Sequence, residues 1–485
     1  MKRLLVCFFA VVFLFPLVGC QSDSNSFTEE SGNNCIRCPS CGEVEFIGTS
    51  NCSNCGKRLP ASQSAPSPQK PVIEWDGTVA SSYESGNGTP EDPYEIATAQ
   101  QLARLSQETN AGRVYPGQYF YLSNHILLNN ADDLDSYVKN NPFHIFNHLS
   151  SSETDYDIDF WTPIGTEEHP FTANFDGKGY TIFGLLVDDL ENDYSGLFGL
   201  MVEGSISNLS CRNAQVRGTG NVGCLVACIS PRNNTTINIR CCEVNCYVHA
   251  LARCYSEEPF GEVVWSIRGS GPAGGIAGLV FASAGSVYIS DCVSSGAVEN
   301  RTTKEYVAYC MNYYGIKSMS GRLYYPDAVG GIVGEINTGR SNDVCIQNCA
   351  NYSGVLSYHF SYTGGIVGFF QGNTSVTSCF NIGPITKWSD TEYLFLPSDM
   401  PLYPGRYGAI VGRADSSSSR ASISNCYYLP SDCSDGVGFY WGSFLSQTNV
   451  TSEENLRSMD WLSENLLFNV NYWKIEDGRL VLTID

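Results

Sequence analysis

The hydrophobic pattern of this chain repeats one plan, in which an apolar run follows small residues and an alternating segment follows a polar turn. TGGIVGFF at 363–370 shows the first part of the plan, and SVYISDC at 286–292 shows the second. Alternation with a period of two is typical of a strand with one buried face, so each copy is predicted to form a strand, a turn and a strand. The six copies begin with YSGLFG at 194–199, VGCLVA at 222–227, AGGIAG at 273–278, VGGIVG at 329–334, TGGIVG at 363–368 and YGAIVG at 407–412.

Repetition of one unit predicts an all-β solenoid, because a unit that buries little apolar surface alone becomes stable by stacking on its neighbours. Surplus residues interrupt the plan at 250–271, 299–327 and 388–406, and we expect them to be loops that project from one flank. The second insertion is rich in tyrosine, a side chain suited to stacking on sugars or filling partner pockets. Packing of the loops on one another is the alternative. The candidate ligand contacts are Tyr306, Tyr309, Tyr313, Tyr314, Tyr324 and Tyr325.

A cysteine ends five of the six copies, and Leu209 takes its place in the first. A position that accepts leucine or cysteine is inward and apolar, so a ladder of buried thiols is favoured over a metal or redox site. Asp291 and Asn348 precede two of these cysteines, as Asn425 precedes a third, and are expected to form a polar ladder at the turn. The five cysteines are Cys242, Cys292, Cys349, Cys379 and Cys426.

One helix is predicted at each end of the repeats. Residues 97–108 are good helix formers, with Thr98 and Gln101 placed as a capping box and Gly112 as a stop. Residues 451–466 have helical spacing of apolar residues, and a hairpin is predicted at 473–482. We expect both helices to cover the open ends of the stack, which prevents edge-to-edge aggregation.

Composition strengthens the prediction of strands and excludes one class of partner. The 485 residues include 47 glycines, and only 16% are charged, which favours turns and close backbone contacts over the charged faces of surface helices. Fifty acidic residues against 28 basic ones give a formal charge of −22. Binding to a nucleic-acid backbone needs clustered Lys and Arg, so no nucleic-acid partner is expected.

The first twenty residues indicate secretion and a lipid anchor. Two basic residues precede an apolar run at 4–18 that is too short for a good membrane span, which is typical of a secretory signal. The last four residues, LVGC, resemble the lipobox of bacterial lipoproteins, and the resemblance implies acylation of Cys20 and a mature chain tethered outside the cytoplasmic membrane. An ordinary secretory signal is the alternative.

Two C-x-x-C-G motifs follow the anchor. Four thiolates at this spacing can close a tetrahedral zinc site, and the segment resembles short zinc ribbons. Such a site is structural, because no position remains for a catalytic water. Two disulfides in an oxidising compartment are the alternative. The predicted zinc ligands are Cys38, Cys41, Cys52 and Cys55.

Seven segments then carry a resemblance to a known family. They are, in order, WDGTVA, GTPEDPYEI, TAQQLARL, YFYLSNHILL, WTPIG, FTANFDGKGYTIFGL and YSGLFG. Together they resemble the start of bacterial surface proteins with GLUG-type repeats, and the likeness extends over roughly 75–485. It implies a right-handed parallel β-helix at the cell surface. The repeat also occurs in secreted peptidases that cut immunoglobulin A, but the chain has six His and no H-E-x-x-H, so that activity is not carried over.

The sequence therefore predicts a lipid-anchored surface protein whose β-helix displays loops for adhesion or for binding a glycan or protein, without catalysis. The alternative is a lyase or glycosidase acting on extracellular polysaccharide, with Asp155, Asp157 and Asp159 as candidate carboxylates. A passive envelope spacer is a third interpretation. The chain divides into a lipoprotein signal peptide (1–20), a tether (21–34), a zinc-ribbon-like module (35–60), a Pro/Ser linker (61–74), an N-terminal region that begins and caps the β-helix (75–190), the repeat β-helix (191–430) and a C-terminal capping region (431–485).

Overall fold

The structure is a computed structural model. No helix among the residues it describes is long and apolar enough to cross a membrane. It describes residues 72–140, 158–189, 191–257, 264–300, 328–339, 341–357, 361–387, 406–430, 433–476 and 478–482, together with two short antiparallel strands, Cys35–Arg37 and Val44–Phe46.

Three parallel sheets run the length of the repeat region. The first sheet has seven strands: Phe198–Met201, Val226–Ile229, Ala277–Ala282, Val333–Thr338, Val367–Gln371, Val411–Asp415 and Val437–Trp441. The second sheet has six: Tyr194–Ser195, Asn221–Gly223, Ala273–Gly274, Ala328–Gly330, Tyr362–Gly364 and Arg406–Gly408. The third sheet contains Tyr94–Ile96, Tyr119–Leu122, Ile126–Leu127, Asn174–Asp176, Thr181–Phe183, Leu186–Asp189, Ser205–Gly218, Thr235–Ala250, Gly285–Ser290, Val293–Asn300, Val344–Gln347, Ala350–Asn351, Gly354–Ser357, Thr374–Thr377, Phe380–Asn381, Ile385–Lys387, Ser422–Tyr428 and Leu445–Val450.

Each copy of the sequence plan forms one coil that passes through the second, first and third sheets in turn. Every strand pairs in parallel with the equivalent strand of the next copy, so that Ala273 lies beside Val329 and Val329 beside Thr363. Parallel pairing of successive copies confirms the predicted all-β solenoid. A seventh coil follows the sixth copy, because Val437–Trp441 and Leu445–Val450 continue the first and third sheets. These strands lie within residues 431–485, which the sequence predicts to be a capping region.

The interior is a continuous apolar core built from rows of equivalent residues. One row lies at the bend between the second and first sheets, and all its members are fully buried: Leu197, Leu225, Ile276, Ile332, Ile366 and Ile410. We call the six residues that begin each copy, such as TGGIVG at 363–368, its repeat anchor. The small residues of the repeat anchors flank this row. A Cβ on Gly334 would lie 2.7 Å from the backbone nitrogen of Ala273, so glycine lets the first sheet approach the backbone of the second.

Helix α1, Ala99–Asn110, closes the N-terminal end as predicted. Thr98 is its N-cap, and the predicted capping box with Gln101 is present. Leu102 and Leu105 are fully buried in the same core cluster as Phe120 of the third sheet. Helix α1 therefore buries its apolar face in the core at the N-terminal end.

Glu108 on α1 joins the helix to the residues around it. Its carboxylate accepts hydrogen bonds from the hydroxyls of Tyr83, at 2.9 Å, and Tyr115, and forms ion pairs with Arg104 at 2.5 Å and Arg113 at 2.9 Å. Burial would raise the pKa of Glu108, but the two hydroxyls and the two positive charges outweigh it and hold the pKa below its usual value.

Acidification is expected to weaken the hydrogen bonds and ion pairs that Glu108 makes. A carboxylate with a lowered pKa in the folded state contributes stability that is present above its unfolded pKa of about 4.3 and is lost as the pH falls through the folded pKa. Thermal unfolding of Glu108→Gln and of the unchanged chain, followed from neutral to acidic pH, should therefore converge at the acid end. Parallel curves for the two chains would contradict the assignment.

Helix α2, Ala131–Asn140, was not predicted from the sequence. The side chain of Asn130 accepts a hydrogen bond from the backbone of Asp133 at 2.9 Å and so caps the helix. Leu134 and Tyr137 pack against Leu186 on the outer face of the third sheet. This helix is a satellite of the solenoid rather than part of its core.

The C-terminal residues form helices α3, Glu453–Leu456, and α4, Met459–Leu466, followed by the predicted antiparallel hairpin of Trp473–Glu476 with Arg479–Leu482. The predicted position of this tail is wrong, because it does not cover the end of the stack. Its apolar residues pack on outward-facing residues of the third sheet from several coils: Val293, Ala350 and Phe380 contact the cluster of Leu456, Leu462, Leu466, Phe468, Trp473 and Leu480.

Candidate functional site

The residues that the sequence singled out for lipidation, zinc binding and ligand contact stay predictions, since none of them lies among the described residues. They are Cys20 for lipidation, Cys38, Cys41, Cys52 and Cys55 for zinc, and Tyr306, Tyr309, Tyr313, Tyr314, Tyr324 and Tyr325 for ligand contact. The structure does describe the points at which the insertions leave the solenoid.

All three insertions lie between the end of a strand in the third sheet and the start of a strand in the second sheet. The chain leaves the third sheet at Ala250, Asn300 and Lys387, and it next joins the second sheet at Ala273, Ala328 and Arg406 respectively. The first insertion contains an antiparallel hairpin of Ala252–Glu257 and Val264–Ser270. Because equivalent strands stack in register, the insertions begin and end at one corner of the solenoid.

Aromatic and cationic side chains gather on the outer surface beside this corner. We call this set the corner cluster and define it as Tyr362, Phe369, Arg406, Arg413 and Phe439. Tyr362 and Arg406 are neighbours in the second sheet, and Phe369, Arg413 and Phe439 follow one another in the first. All five side chains are partly exposed. The cluster therefore spans three successive coils at the root of the third insertion.

Arg413 is the centre of the cluster. Its guanidinium carbon lies 4.9 Å from the ring centroid of Tyr362, 5.4 Å from that of Phe439 and 5.7 Å from that of Phe369. Arg406 lies 4.7 Å from the ring centroid of Phe439, and the rings of Tyr362 and Phe369 are 5.4 Å apart. Contacts within about 6 Å of a ring face are favourable cation–π interactions, which orient the rings before any partner arrives.

Asp415 fixes the orientation of Arg413. The Arg413 Nη2 and Nε atoms lie 2.6 Å and 3.0 Å from the Asp415 carboxylate, and Nη1 donates to the hydroxyl of Tyr362. The hydrogen bond to Asp415 raises the pKa of Arg413. The result is a pre-organised set of aromatic faces with a charge-paired hydrogen-bonding group between them, which suits recognition rather than proton transfer.

Glu335 extends the same outward row by one coil, since it lies beside Phe369 in the first sheet. Burial raises the pKa of Glu335, although the side chain of Asn337 donates a hydrogen bond to it at 2.6 Å. A half-buried carboxylate with a raised pKa is a common feature of functional sites. Glu335 therefore adds a polar group at the edge of the corner cluster.

Of the carboxylates proposed for catalysis, Asp159 alone lies among the described residues. Asp155 and Asp157 lie outside these residues, and Asp159 donates its backbone N–H to the side chain of Asn129 at 2.8 Å. Asp188 is buried beneath Tyr137 and 3.8 Å from Arg217. Within the described part of the chain, no group of three or more His, Cys, Asp or Glu side chains is arranged to hold a metal ion.

The cysteine row is an interior ladder of free, fully buried thiols. Each thiol donates to the carbonyl two residues earlier, as Cys349 does to Gln347 at 3.2 Å. Burial raises the pKa of Cys292 and Cys379, which keeps them as unreactive thiols. Asp291 and Asn348, which precede two of the cysteines, adopt left-handed backbone at a bend of the third sheet, and their side chains are hydrogen-bonded at 3.3 Å.

The corner cluster is not predicted from the sequence, although one position of the repeat carries a signal for it. The residue that follows the last glycine of a repeat anchor faces outward. From the third to the sixth copy this residue is Leu279, Glu335, Phe369 and Arg413. Aligning this single position shows a change from aliphatic to charged and aromatic side chains toward the C-terminal coils.

Comparisons with known proteins give partial similarities. No family model matches the chain. It is 30% identical over 172 residues to "Halomucin" of Haloquadratum walsbyi, which is 34% of this chain and 2% of that protein. It is 30% identical over 132 residues to a "Putative Gly-rich membrane protein" of Evansella cellulosilytica, 27% of this chain and 12% of that protein. The chain thus matches only a small part of either relative.

The comparison with solved structures gives a further partial similarity. It is to the crystal structure of a "putative immunoglobulin A1 protease" from Bacteroides ovatus, with a TM-score of 0.44 and 18% identity, covering 83% of this chain and 96% of that one.

Proposed function

We propose that the protein is a lipid-anchored cell-surface protein whose right-handed parallel β-helix of GLUG-type repeats binds an extracellular glycan, without catalysis. The observation that carries the proposal is the corner cluster, where Arg413 holds three aromatic rings beside the root of the insertions. The Tyr-rich insertion at 299–327 would extend the binding surface.

The chemistry of the cluster favours a sugar as the ligand. Aromatic rings stack on the apolar faces of sugar rings, and a few fixed polar groups provide orientation. The Arg413–Asp415 pair supplies both donors and acceptors at the centre of the rings. Because the two charges neutralise each other, the site can accept an uncharged ligand without leaving a charge unpaired.

A glycan array probed with the purified chain tests the proposal. Replacing Phe369 by alanine is expected to weaken binding about tenfold, since an aromatic stacking contact contributes about 1 to 1.5 kcal/mol. Tyr288→Ala is the matched control, because Tyr288 is an exposed aromatic residue on the third sheet. Equal loss in both variants, or no binding to any glycan, would contradict the proposal.

The same polysaccharides separate binding from catalysis. We expect no release of reducing sugar or unsaturated uronate from them. Release that is abolished by Asp157→Ala or Asp159→Ala would instead favour a polysaccharide lyase or glycosidase.

The location and the zinc module have separate tests. The names of the two relatives, a mucin and a membrane protein, support a place in the cell envelope. Labelling with palmitate should be lost in Cys20→Ala. The segment 21–71, prepared under reducing conditions, should contain one zinc ion for the four thiolates of Cys38, Cys41, Cys52 and Cys55. A zinc-free segment would favour the two disulfides.

A further inference from the structure

The C-terminal end of the solenoid is an open end of the core. Tyr440 continues an interior row whose preceding members, Phe370 and Ala414, are fully buried, yet Tyr440 itself is 60% exposed. Val450 follows the buried Tyr428 in the third sheet and is 55% exposed. Side chains at core positions are thus in contact with solvent because no further described coil lies beyond them.

The same end presents the edges of two sheets. Val437–Trp441 pairs on one side with Val411–Asp415, and Leu445–Val450 pairs on one side with Ser422–Tyr428; no other described strand lies beside either of them. Natural sheets usually protect such edges with charged residues, proline or a covering element. Here the C-terminal tail packs on the flank instead.

The edge also lacks charge in a chain that is strongly acidic. Residues 436–452 read GVGFYWGSFLSQTNVTS and contain no Asp, Glu, Lys or Arg, whereas the whole chain has a formal charge of −22. An uncharged surface can meet an identical copy of itself without like-charge repulsion, and it offers no charge for a partner of opposite sign to recognise. The charge distribution therefore favours a second copy of this chain over a partner selected by opposite charge.

The other end of the solenoid fixes how two copies can meet. Helix α1 buries Leu102 and Leu105 against the N-terminal core, so a head-to-tail stack would need this helix to move. Contact between two C-terminal ends needs no such change. It relates the copies by a two-fold axis, and identical strands related in this way pair antiparallel.

We propose that this protein forms a two-fold dimer through its C-terminal coil, with Val437–Trp441 pairing antiparallel with the same strand of a second copy. The new main-chain hydrogen bonds complete the edge of the first sheet, and Tyr440, Trp441 and Val450 become buried. The dimer places two corner clusters near one junction, because Phe439 belongs both to the cluster and to the edge strand.

The oligomeric state of the full chain tests this inference. The chain is purified in a nonionic detergent, and its mass is measured by light scattering with correction for bound detergent over about 1 to 100 µM, a range in which a micromolar association shifts with concentration. We expect a reversible monomer–dimer equilibrium. Trp441→Lys, which places two like charges near the axis, is expected to weaken dimerisation tenfold or more. Leu445→Lys is a second variant on the neighbouring edge strand.

Control variants test whether dimerisation depends on the C-terminal edge strands rather than on the rest of the surface. Phe281→Lys is the matched control, since Phe281 is an exposed aromatic residue of the same sheet within the stack, and it should leave dimerisation unchanged. A photo-crosslinking residue at Trp441 should link to residues 435–450 of the second copy. A monomer at every concentration, a dimer unaffected by both lysine variants, or cross-links to helix α1 would overturn the inference.

Discussion

Replacing Gly365 by alanine is expected to destabilise the protein by about 3 kcal/mol, because the added methyl group has no space. A Cβ at this position would lie 2.2 Å from the carbonyl oxygen of Ala409 and 2.3 Å from the side-chain carbon of Asn381. Neither neighbour can move easily. Ala409 belongs to the backbone of the next coil, and Asn381 is held by Asn351 at 2.7 Å and by the carbonyl of Gly383 at 3.0 Å.

The measurement is urea-induced unfolding of the two chains. Gly354→Ala is the matched control, since it lies in the coil before that of Gly365 and its nearest foreign atom is a side-chain carbon of Pro384 at 3.7 Å. We expect the control to remain within about 0.5 kcal/mol of the unchanged chain. An equally small effect of Gly365→Ala would contradict the prediction, because it would show that contact with Asn381 does not require glycine at position 365.

The contact between a glycine and an interior asparagine recurs along the stack, and it explains the double glycine of the repeat anchors. Gly331 and Gly365 occupy equivalent places, where a Cβ would collide with Asn351 and Asn381 respectively. The sequence shows the glycines and shows that they repeat, which is enough to predict a stacked unit. It does not show that the third sheet brings an asparagine against them, because that partner is 20 residues after Gly331 and 16 residues after Gly365.

The apolar pattern predicted which residues are buried, but it did not predict which elements pack against them. The tail at 451–482 has the predicted helical residues and hairpin, since these follow from local spacing and from turn residues. Its location depends on the outer face of the third sheet, where Val293, Ala350 and Phe380 stand at outward positions on different coils. Those three residues are far apart in sequence, and only the stacking register brings them into one apolar patch.

The corner cluster was missed for a similar reason. Strands of the second sheet have two or three described residues each, which is too short to show an alternating pattern. Tyr362 and Arg406 therefore carry no signal on their own, and their proximity to Arg413 follows from the register between coils. By contrast, the inward cysteine row could be predicted, because each member ends its copy at a fixed place in the plan.

Replacing Glu243 by alanine is expected to destabilise the protein by about 3 to 5 kcal/mol, because it breaks a buried ion pair. Glu243 lies 2.7 Å from the Nη2 atom of Arg212 on the preceding coil, and both residues are buried on the outer face of the third sheet. The hairpin strand Arg479–Leu482 lies beside this part of the sheet. The variant leaves the Arg212 charge in an apolar setting without this carboxylate.

A double variant distinguishes the loss of the Arg212–Glu243 ion pair from a loss of packing. Joint replacement of Arg212 by methionine and Glu243 by leucine should recover most of the stability, since apolar residues of similar volume often replace a buried pair at little cost. Glu453→Gln is the control, because its pair with Arg457 at 2.5 Å is exposed and should contribute less than about 1 kcal/mol.

An independent measurement reports the loss of the Arg212 charge. Burial and the positive charge of Arg212 together lower the pKa of His125 to about 4. In the double variant the charge is absent, so the pKa of His125 measured by NMR should rise, while burial keeps it below the usual value. If stability does not recover and the pKa of His125 does not change, Arg212 and Glu243 do not act as a coupled buried pair. If both change as expected, the outer face of the third sheet is held by charge as well as by the apolar tail that covers it.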